Sequence, residues 1–442
     1  MRPFNKTDFI VMSLGNIIGS GIFLASSLVI TVAGALAPLA YLLGGLVMMM
    51  EVSFLIELAI ANPVPGSFRA CAREIFGDWW GFVNGWMFWA SGVLGMAGEV
   101  TACAIFARLW LPAVPLWVLS LLFAVAITII NFNDLKGLSK IELGLAVTKV
   151  ITLLLFIFVG LGLLTGFHPG PDGEIQTLRS LADQYPSAGP AGLLSSLLLV
   201  FFAYTGTGII GMAATETEHP EKTVPAAARI ITRSIVALYT LAAFFIIALL
   251  PGSLIDPNVS PFVQLFTRFN IPYAGDIVNF ILLTAALSSL NSQVYSSSRM
   301  LFSLARDKQA PPLAGYQNRK GIPVVAIAAS GVVLLITVLL SYVLPGQIFV
   351  YTISASGFLA LVNWLSVSAT HYFYRKKILA VAPEKLKYRA PGYPYFSWLC
   401  FAAVFIAILS IPLYPDQLPG LYSGGALLLI ISAGYFLIYF RR

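Results

Sequence analysis

Long apolar runs separated by short polar segments make up most of this chain. Twelve of these runs are long enough to cross the hydrocarbon core of a bilayer, which is about 30 Å thick and takes roughly 20 helical residues. We therefore predict an all-α polytopic membrane protein with twelve transmembrane helices. The predicted spans are residues 8–34, 37–61, 82–107, 114–132, 143–166, 191–214, 226–250, 275–303, 322–343, 347–373, 396–413 and 420–440.

The first of these runs is interrupted by glycine. Gly15 and the sequence Gly19-Ser20-Gly21 stand where an unbroken helix would be expected. Unpaired backbone groups are costly in lipid, so a helix break is tolerated only where it lines a cavity or a ligand site. Glycine brings bare N–H groups close to a ligand, and the N-terminus of a half-helix attracts a carboxylate. The segment therefore predicts half of a transporter's binding site for a small anionic or zwitterionic solute.

A second interruption lies in the sixth run, at residues 206–208 (Gly-Thr-Gly). Five spans separate the two interruptions, so the two helices start from opposite sides of the membrane. Matched interruptions in two inverted halves point to a binding site near the membrane midplane. Close helix packing is the alternative role of glycine in membrane helices, and we favour it for Gly44, Gly45, Gly92 and Gly95.

An inverted repeat would group spans one to five and spans six to ten, with the last two spans as an appendage. The amphipathic stretch Ser67–Asp78 after the second span has a counterpart after the seventh, Pro251–Gly275. The predicted boundaries are 1–166 for the first repeat, 167–190 for an extracellular loop, 191–373 for the second repeat, 374–395 for a cytoplasmic loop and 396–442 for the last two helices.

Composition and charge agree with a membrane protein and predict its orientation. Of the 442 residues, 58% are hydrophobic and 10% are charged, whereas soluble domains carry about 25% charged residues. All but four of the 26 Lys and Arg residues fall on one side of the predicted arrangement. The positive-inside rule assigns that side, and both termini, to the cytoplasm. The net charge of +7 is then a topology signal, and the three scattered cysteines predict neither a disulfide framework nor a metal site.

Further motifs are distributed along almost the whole chain. They are Gly19–Phe23, Glu57–Ala59, Asn62–Phe68, Gly98–Ala102, Tyr204–Thr207, Glu216–Lys222, Ser289–Ser292, Tyr295–Leu301, His371–Tyr372 and Tyr388–Pro391. Together they resemble the amino acid–polyamine–organocation superfamily, and within it the bacterial permeases of the amino acid transporter family. The chain departs from that family at Gly208, where a glutamate is usual, and near Glu51–Ser53, where an arginine is usual.

The resemblance implies a LeuT-type 5+5 inverted repeat in which helices 1 and 6 are discontinuous. It implies that backbone amides of the first break hold a substrate carboxylate, and that carbonyls freed in the second break hold the ammonium group. Phe202 and Tyr204 would cover the solute as an aromatic gate, with ordinary core packing as the alternative. The predicted substrate-binding residues are Ile18, Gly19, Ser20, Gly21, Phe202, Ala203, Tyr204, Thr205 and Gly206.

Two ionisable residues, Lys149 and Glu99, lie deep inside apolar spans. Such a charge costs about 2.5–3.5 kcal/mol or more unless it is paired, and Lys149 lies about 10 Å inside its span at 1.5 Å per residue. The resemblance implies that protonation of Lys149 couples H⁺ to transport, with a purely structural cation as the alternative. We predict that Lys149 adjoins the backbone of Gly15–Ile18 and the segment 288–292. Glu99 is predicted as a second proton-coupling group, with contact to the substrate ammonium or helix packing as alternatives.

Other ionisable residues give weaker signals. Glu51 is a less certain functional candidate, and Glu57 lies near enough to the cytoplasmic end of its span to be a structural cap or a gate residue. We predict no functional role for His168 and His219, which lie in loops, or for His371 near a helix end.

Together with these patterns, the resemblance implies a secondary transporter that imports a neutral amino acid by proton symport across the bacterial cytoplasmic membrane. The chain has no P-loop, no H-E-x-x-H motif and no Cys/His metal-ligand spacing, so we predict neither an enzyme nor a cofactor. The expected partners are an amino acid, H⁺ and the lipid bilayer, without nucleic acid. An exchanger, a polyamine carrier and a non-transporting sensor remain alternatives, and sodium coupling and oligomeric state stay open.

Overall fold

A computed structural model of the chain describes residues 6–64, 66–132, 138–165, 185, 189–214, 217, 219–269, 273–344, 347–413 and 415–439. Most of these residues lie in helices, which we number in chain order. The helices of the first half are α1 Lys6–Ile17, α2 Ser20–Phe23, α3 Ala25–Ala33, α4 Ala37–Ala61, α5 Ser67–Phe76, α6 Asp78–Arg108, α7 Leu116–Asn131 and α8 Leu138–Leu164. Those of the second half are α9 Gly189–Ala203, α10 Gly208–Ala214, α11 Pro220–Leu249, α12 Pro261–Arg268, α13 Ala274–Arg306, α14 Val324–Val343, α15 Ile348–Val381, α16 Tyr395–Ser410 and α17 Leu418–Tyr439.

The all-helical class predicted from the apolar runs is confirmed in these ranges, and each predicted span coincides with helix. Within the described residues, nine helical stretches are long and apolar enough to cross a membrane, with Ala25–Ala61 counted as one stretch. Two further apolar helices, α7 and α9, are shorter. The number of twelve crossings and the 5+5 repeat stay predictions.

Both predicted interruptions are present as breaks in the helices. In the first run, α1 ends at Ile17 and α2 begins at Ser20, with Gly19 in an extended conformation (φ −144°, ψ −153°). In the sixth run, the helix stops after Ala203 and resumes at Gly208. Gly206 within this gap has φ +90°, a conformation that favours glycine because it has no Cβ. The local sequence thus sets where each helix breaks.

Short helices α5 and α12 follow the second and seventh predicted spans, at the places where the amphipathic stretches were expected. The packed face of α12 is apolar, with Phe262, Leu265 and Phe266 buried, whereas α5 buries Phe68 and Cys71 together with Ser67 and Arg69. Two such helices at matching positions are what an inverted repeat would produce.

Several glycines serve helix packing, as predicted. A Cβ on Gly44 would lie 2.5 Å from Val200 Cγ1, and one on Gly45 would lie 2.6 Å from Val236 Cγ2. A Cβ on Gly95 would lie 2.7 Å from Gln293 Oε1. Small residues let helix backbones approach closely in membranes, so the close packing of α4 and α6 against their neighbours depends on these positions.

Candidate functional site

The two helix breaks lie side by side in the centre of the molecule. Asn16, near the end of α1, donates a hydrogen bond from Nδ2 to the Gly206 carbonyl at 2.7 Å. A Cβ on Gly206 would lie 2.7 Å from the Asn16 carbonyl oxygen, so the two backbones are in contact there. The sequence predicted both breaks, and the structure joins them through Asn16.

Three side chains from different helices cap the carbonyl end of α1. The last carbonyls of a helix have no intrahelical donor and must be satisfied otherwise. Lys149 Nζ of α8 donates to Gly15 O at 2.7 Å, and Tyr239 of α11 donates from its hydroxyl to Ile17 O at 3.1 Å. Ser289 Oγ of α13 donates to the Asn16 carbonyl at 3.2 Å.

Lys149 is 1% exposed and lies at the negative end of a helix dipole, where a cation is stabilised. Its contact with Gly15 confirms the prediction that it adjoins the backbone of the first break. The Lys149 ammonium group therefore binds the carbonyl end of the α1 half-helix.

Glu99 of α6 occupies the amide end of the same break. Both of its carboxylate oxygens accept from the Ser20 N–H, each at 3.1 Å. A Cβ on Gly19 would collide with Glu99 Oε1 and would lie 2.6 Å from Ser289 Oγ. Glycine at position 19 thus makes room for the glutamate, and in this conformation the predicted carboxylate-binding amide of Ser20 holds a carboxylate of the protein itself.

Gly21, which was predicted to bind the substrate, faces the second helix break. A Cβ on Gly21 would lie 2.6 Å from Ala203 Cα. The α2 backbone therefore packs directly on the end of α9, and no space for a solute lies between these two residues in this conformation.

Next to the interruption between α9 and α10, a backbone carbonyl accepts hydrogen bonds from a neighbouring residue. The Phe202 carbonyl, predicted to be free, accepts from Thr205 N at 2.9 Å and from Thr205 Oγ1 at 2.6 Å. Tyr204 is buried, and its hydroxyl donates to the Tyr41 carbonyl at 2.8 Å. Its ring is stacked 5.3 Å from that of Tyr239. Tyr204 thus joins an aromatic cluster on one side of the break.

A cavity adjoins both breaks, and Asn16 of the first and residues 205–209 of the second contribute to its lining. The cavity extends to Phe68 of α5, on the side of the membrane where the Lys- and Arg-rich connections are predicted, here called the basic side. Its lining is Asn16, Leu55, Phe68, Phe88, Ser91, Gly92, Gly95, Thr205, Gly206, Thr207, Gly208, Ile209, Gln293, Ser296, Ser356, Ala360, Asn363, Trp364 and Val367.

Of the nine predicted substrate-binding residues, Thr205 and Gly206 line this cavity. The other seven are buried in the packed core around the breaks: Ile18, Gly19, Ser20, Gly21, Phe202, Ala203 and Tyr204. Within the described lining, the polar groups are hydroxyls and amides, and none of the side chains is ionisable.

Several lining residues were not singled out by the sequence. Gln293, Asn363 and Phe88 come from three helices far apart in the chain, and isolated polar or aromatic residues in apolar spans give little signal. Phe88 explains one departure from the family pattern, because a Cβ on Gly208 would lie 2.5 Å from Phe88 Cε2. The aromatic ring takes space next to the position where a glutamate is usual.

Two buried polar atoms beside the cavity have no hydrogen-bond partner among the described residues. They are Asn16 Oδ1 and Thr207 Oγ1, and both residues line the cavity. Buried polar groups are normally satisfied by protein or by ordered water, so these atoms are available to a bound solute or to water.

Comparisons with known proteins agree with this architecture. The family model described as Amino acid permease matches residues 8–441. The chain is 33% identical to the amino-acid permease RocC of Bacillus subtilis (strain 168), over 100% of this chain and 95% of that protein. It is 32% identical to the gamma-aminobutyric acid permease of the same organism, over 99% of this chain and 93% of that protein.

Among solved structures, a crystal structure of a mutant manganese transporter from Eremococcus coleocola superposes with a TM-score of 0.62. The alignment covers 98% of this chain and 92% of that one at 15% identity. At this identity the likeness concerns the fold alone.

Proposed function

The chain belongs to the amino acid permease family, and from this premise we propose that it imports a neutral amino acid across the bacterial cytoplasmic membrane by proton symport. Both termini would lie in the cytoplasm, because the predicted connections on their side carry most of the Lys and Arg residues. The observation that carries the proposal is the arrangement of Lys149 and Glu99 around the first helix break. One binds its carbonyl end and the other its amide end.

The cation at the carbonyl end gives a physical route for coupling. Protonated Lys149 is attracted to the partial negative charge of the last turn of α1. Loss of its proton removes that attraction and leaves a weaker hydrogen bond to Gly15. Proton binding and release at Lys149 would thus bias the position of the α1 half-helix, which is the element expected to move.

The Glu99 carboxylate, at the amide end of the first break, would compete with the substrate carboxylate. Glu99 accepts from the Ser20 N–H, which is the predicted donor to the substrate's α-carboxylate. Two carboxylates at one amide repel each other, so substrate binding there requires Glu99 to take up a proton or turn away. Either event would link the charge on Glu99 to occupancy of the site.

The cavity supports a substrate with a neutral side chain. A cationic side chain would need a carboxylate partner, because an unpaired charge is costly to bury. The described lining offers Gln293, Asn363 and hydroxyl groups, with no acidic residue. For the same reason the cavity argues against a polyamine, which would carry several positive charges.

Transport would proceed by alternating access around the two breaks. The moving bundle would comprise α1–α4 and α9–α11, and the scaffold α6–α8 and α13–α15. In this conformation the cavity extends toward the basic side, while the Tyr41, Tyr204 and Tyr239 rings pack together beside the second break and Phe262 of α12 packs on Phe23 of α2. These features support assigning the conformation to a state that would be accessible from the cytoplasm, given the proposed orientation.

The test is uptake of a panel of labelled amino acids into proteoliposomes under an imposed inward proton or sodium gradient. We expect accumulation of a neutral amino acid with the proton gradient alone. Lys149→Ala should abolish gradient-driven accumulation. Lys377→Ala should not, because Lys377 is an exposed lysine that pairs with Glu74 at 2.8 Å.

Three outcomes would contradict the proposal in different ways. If uptake by Lys149→Ala still depends fully on the proton gradient, Lys149 has no role in proton coupling. Flux only after preloading with amino acid would indicate an exchanger, with Lys149 as a fixed cation. Specific binding without flux under any gradient would indicate a sensor.

A further inference from the structure

A second group of buried polar side chains lies between α4, α15 and α16, outside the lining of the cavity. We call it the α4–α15–α16 seam. It comprises Glu51, Glu57, Ser368, His371, Arg375, Ser397 and Cys400. The proton-symport proposal assigns no role to these residues.

Glu51 forms the innermost layer of the seam. The residue is 0% exposed, and its Oε1 accepts from Ser368 Oγ of α15 and lies 3.2 Å from Cys400 Sγ of α16. Its Oε2 is buried without a hydrogen-bond partner among the described residues. In that part of the chain Glu51 has no ion-pair partner, so a negative charge there would be compensated only by neutral donors.

His371 forms the middle layer, one helical turn further along α15. Its ring stacks on Phe54 with centroids 4.2 Å apart and an interplanar angle of 14°. Its Nδ1 lies 2.9 Å from Ser397 Oγ, and Ser397 is one turn from Cys400 on α16. The sequence assigned His371 no role, but the structure buries it completely between three helices.

Glu57 and Arg375 form the outer layer, at the basic side. Glu57 Oε2 accepts from the Ala390 N–H at 2.5 Å and from Arg375 Nη1 at 3.2 Å. His371 Nε2 lies 3.4 Å from the same oxygen. This layer ties the connection between α15 and α16 to the end of α4, and it links His371 to the charged end of the seam.

Unpaired polar atoms recur through all three layers. Within the described residues, Glu51 Oε2, Glu57 Oε1 and Arg375 Nε are buried without a hydrogen-bond partner, as is His371 Nε2, 3.4 Å from Glu57 Oε2. Buried polar atoms of this kind are usually satisfied by internal water, which makes about three hydrogen bonds each. Water among them would connect Glu51 to the basic side.

We propose that Glu51 is a second proton-binding site, separate from Lys149 and Glu99, which exchanges protons with the basic side through His371 and the Glu57 layer. A proton adds to the Glu51 carboxylate to give a neutral carboxylic acid. In this conformation Glu51 would carry the proton, because a carboxylate buried with only neutral hydrogen-bond partners is strongly disfavoured.

The groups around Glu51 do not offer it a cation at close range. The titratable and charged groups around the seam come from α4, α11, α15, α16 and the connection between α15 and α16. They are Glu57, Arg229, His371, Arg375, Tyr388, Tyr393 and Cys400. Arg229 interacts electrostatically with Tyr388. Arg375 is engaged by Glu57 and by the Ala390 carbonyl at 2.8 Å.

The location suggests what the proton does. Glu51 is on α4, in the proposed moving bundle, and Ser368 is on α15, in the proposed scaffold. Ionised Glu51 would weaken the packing of α4 on α15 and α16, so its proton would favour the conformation described here. This consequence for transport rests on the proposed function, whereas the proton site itself does not.

The first test is the thermal unfolding of the full-length protein in detergent between about pH 5 and about pH 9. A carboxyl that keeps its proton in the folded state but loses it on unfolding makes the protein less stable as pH rises. We expect the Tm of the wild-type protein to fall more steeply with pH than that of Glu51→Gln, which cannot ionise. Glu74→Gln, at an exposed ion pair, should give a curve parallel to wild type.

Parallel Tm curves for wild type and Glu51→Gln would overturn the proposal. Should Glu51→Gln fail to fold, the infrared spectrum of the wild-type protein and of Glu99→Gln provides the test. We expect a protonated-carboxyl C=O band at neutral pH that persists in Glu99→Gln, and absence of that band would overturn the proposal.

The second test is amino acid exchange in proteoliposomes with equal pH on both sides, so that no proton gradient drives flux. From about pH 6 to about pH 9 we expect wild-type exchange to fall roughly tenfold more than that of Glu51→Gln. Identical pH profiles together with different Tm curves would overturn the coupling to transport and retain the proton site. Absence of exchange in both proteins would refute the proposed function, and the Tm comparison would still decide the proton site.

Discussion

Replacement of Gly206 by alanine tests whether contact between the two helix breaks is required. Gly206 has φ +90°, and its Cβ would lie 2.7 Å from the Asn16 carbonyl oxygen and 3.0 Å from Asn16 Nδ2. The first neighbour is backbone at the end of α1, so it cannot turn away as a side chain would. The hydrogen bond from Asn16 Nδ2 to Gly206 O, 2.7 Å long, would be strained by the same movement.

Three contributions add in this variant. An alanine at this backbone conformation costs about 1–2 kcal/mol, and relief of the close contact costs about 1–3 kcal/mol by analogy with overpacked cores. Weakening the hydrogen bond costs about 0.5–1.5 kcal/mol. We expect Gly206→Ala to lose roughly 2.5–6.5 kcal/mol of stability in total, together with most of its uptake.

A matched control is Gly144→Ala in α8. No atom lies within 4 Å of a Cβ built at Gly144, and alanine is favoured over glycine within a helix by about 0.5–1 kcal/mol. The assay compares Tm in detergent and uptake at equal reconstituted amounts of protein. The double variant Gly206→Ala with Asn16→Ala should not recover, because the Asn16 carbonyl remains. A Tm and uptake of Gly206→Ala equal to those of Gly144→Ala would refute the reasoning.

Gly21→Ala should abolish uptake, because its Cβ would lie 2.6 Å from Ala203 Cα; wild-type uptake by this variant would show that the two breaks separate easily. Glu99→Gln keeps one acceptor oxygen for the Ser20 N–H but cannot ionise, so proton-driven accumulation should fall at least about tenfold while exchange continues; unchanged accumulation would remove Glu99 from the coupling. Burial raises the pKa of the Cys71 thiol in α5 to about 12, so maleimide should label it slowly at neutral pH in intact protein, measured by mass spectrometry. Fast labelling would show that α5 leaves its packed position.

The sequence was sufficient for the positions of the helices and of both breaks, because these depend on local signals. Apolar runs locate the helices, and glycine locates the interruptions at residues 18–19 and 204–207. The resemblance, rather than the local sequence, placed Lys149 beside the backbone of the first break, where Gly15 O accepts its hydrogen bond.

The neighbouring group that each glycine makes room for could not be predicted from local sequence signals. Gly19 and Gly21 have the same local sequence environment, yet one makes room for Glu99 and the other for Ala203. Whether a bare amide faces a solute or a side chain depends on a residue 79 positions away, and a single sequence carries no sign of that pairing. The seam around Glu51 was missed for the same reason, since it needs α4, α15 and α16 together.

The separation of charge from the cavity has a consequence for selectivity. Lys149 and Glu99 bind the backbone of the first break, and Glu51 is not part of the cavity lining, which is neutral among the described residues. An ionic group inside the cavity would attract or repel a substrate side chain by its charge, an effect that is large where water is scarce. With neutral amides and hydroxyls instead, the proposed site would distinguish side chains by size and hydrogen bonding. One missing methylene changes binding in such a pocket by only about 1–3 kcal/mol. Substitutions at Phe88 and Gly208, which set the space at one wall, should therefore shift the substrate range without altering proton coupling.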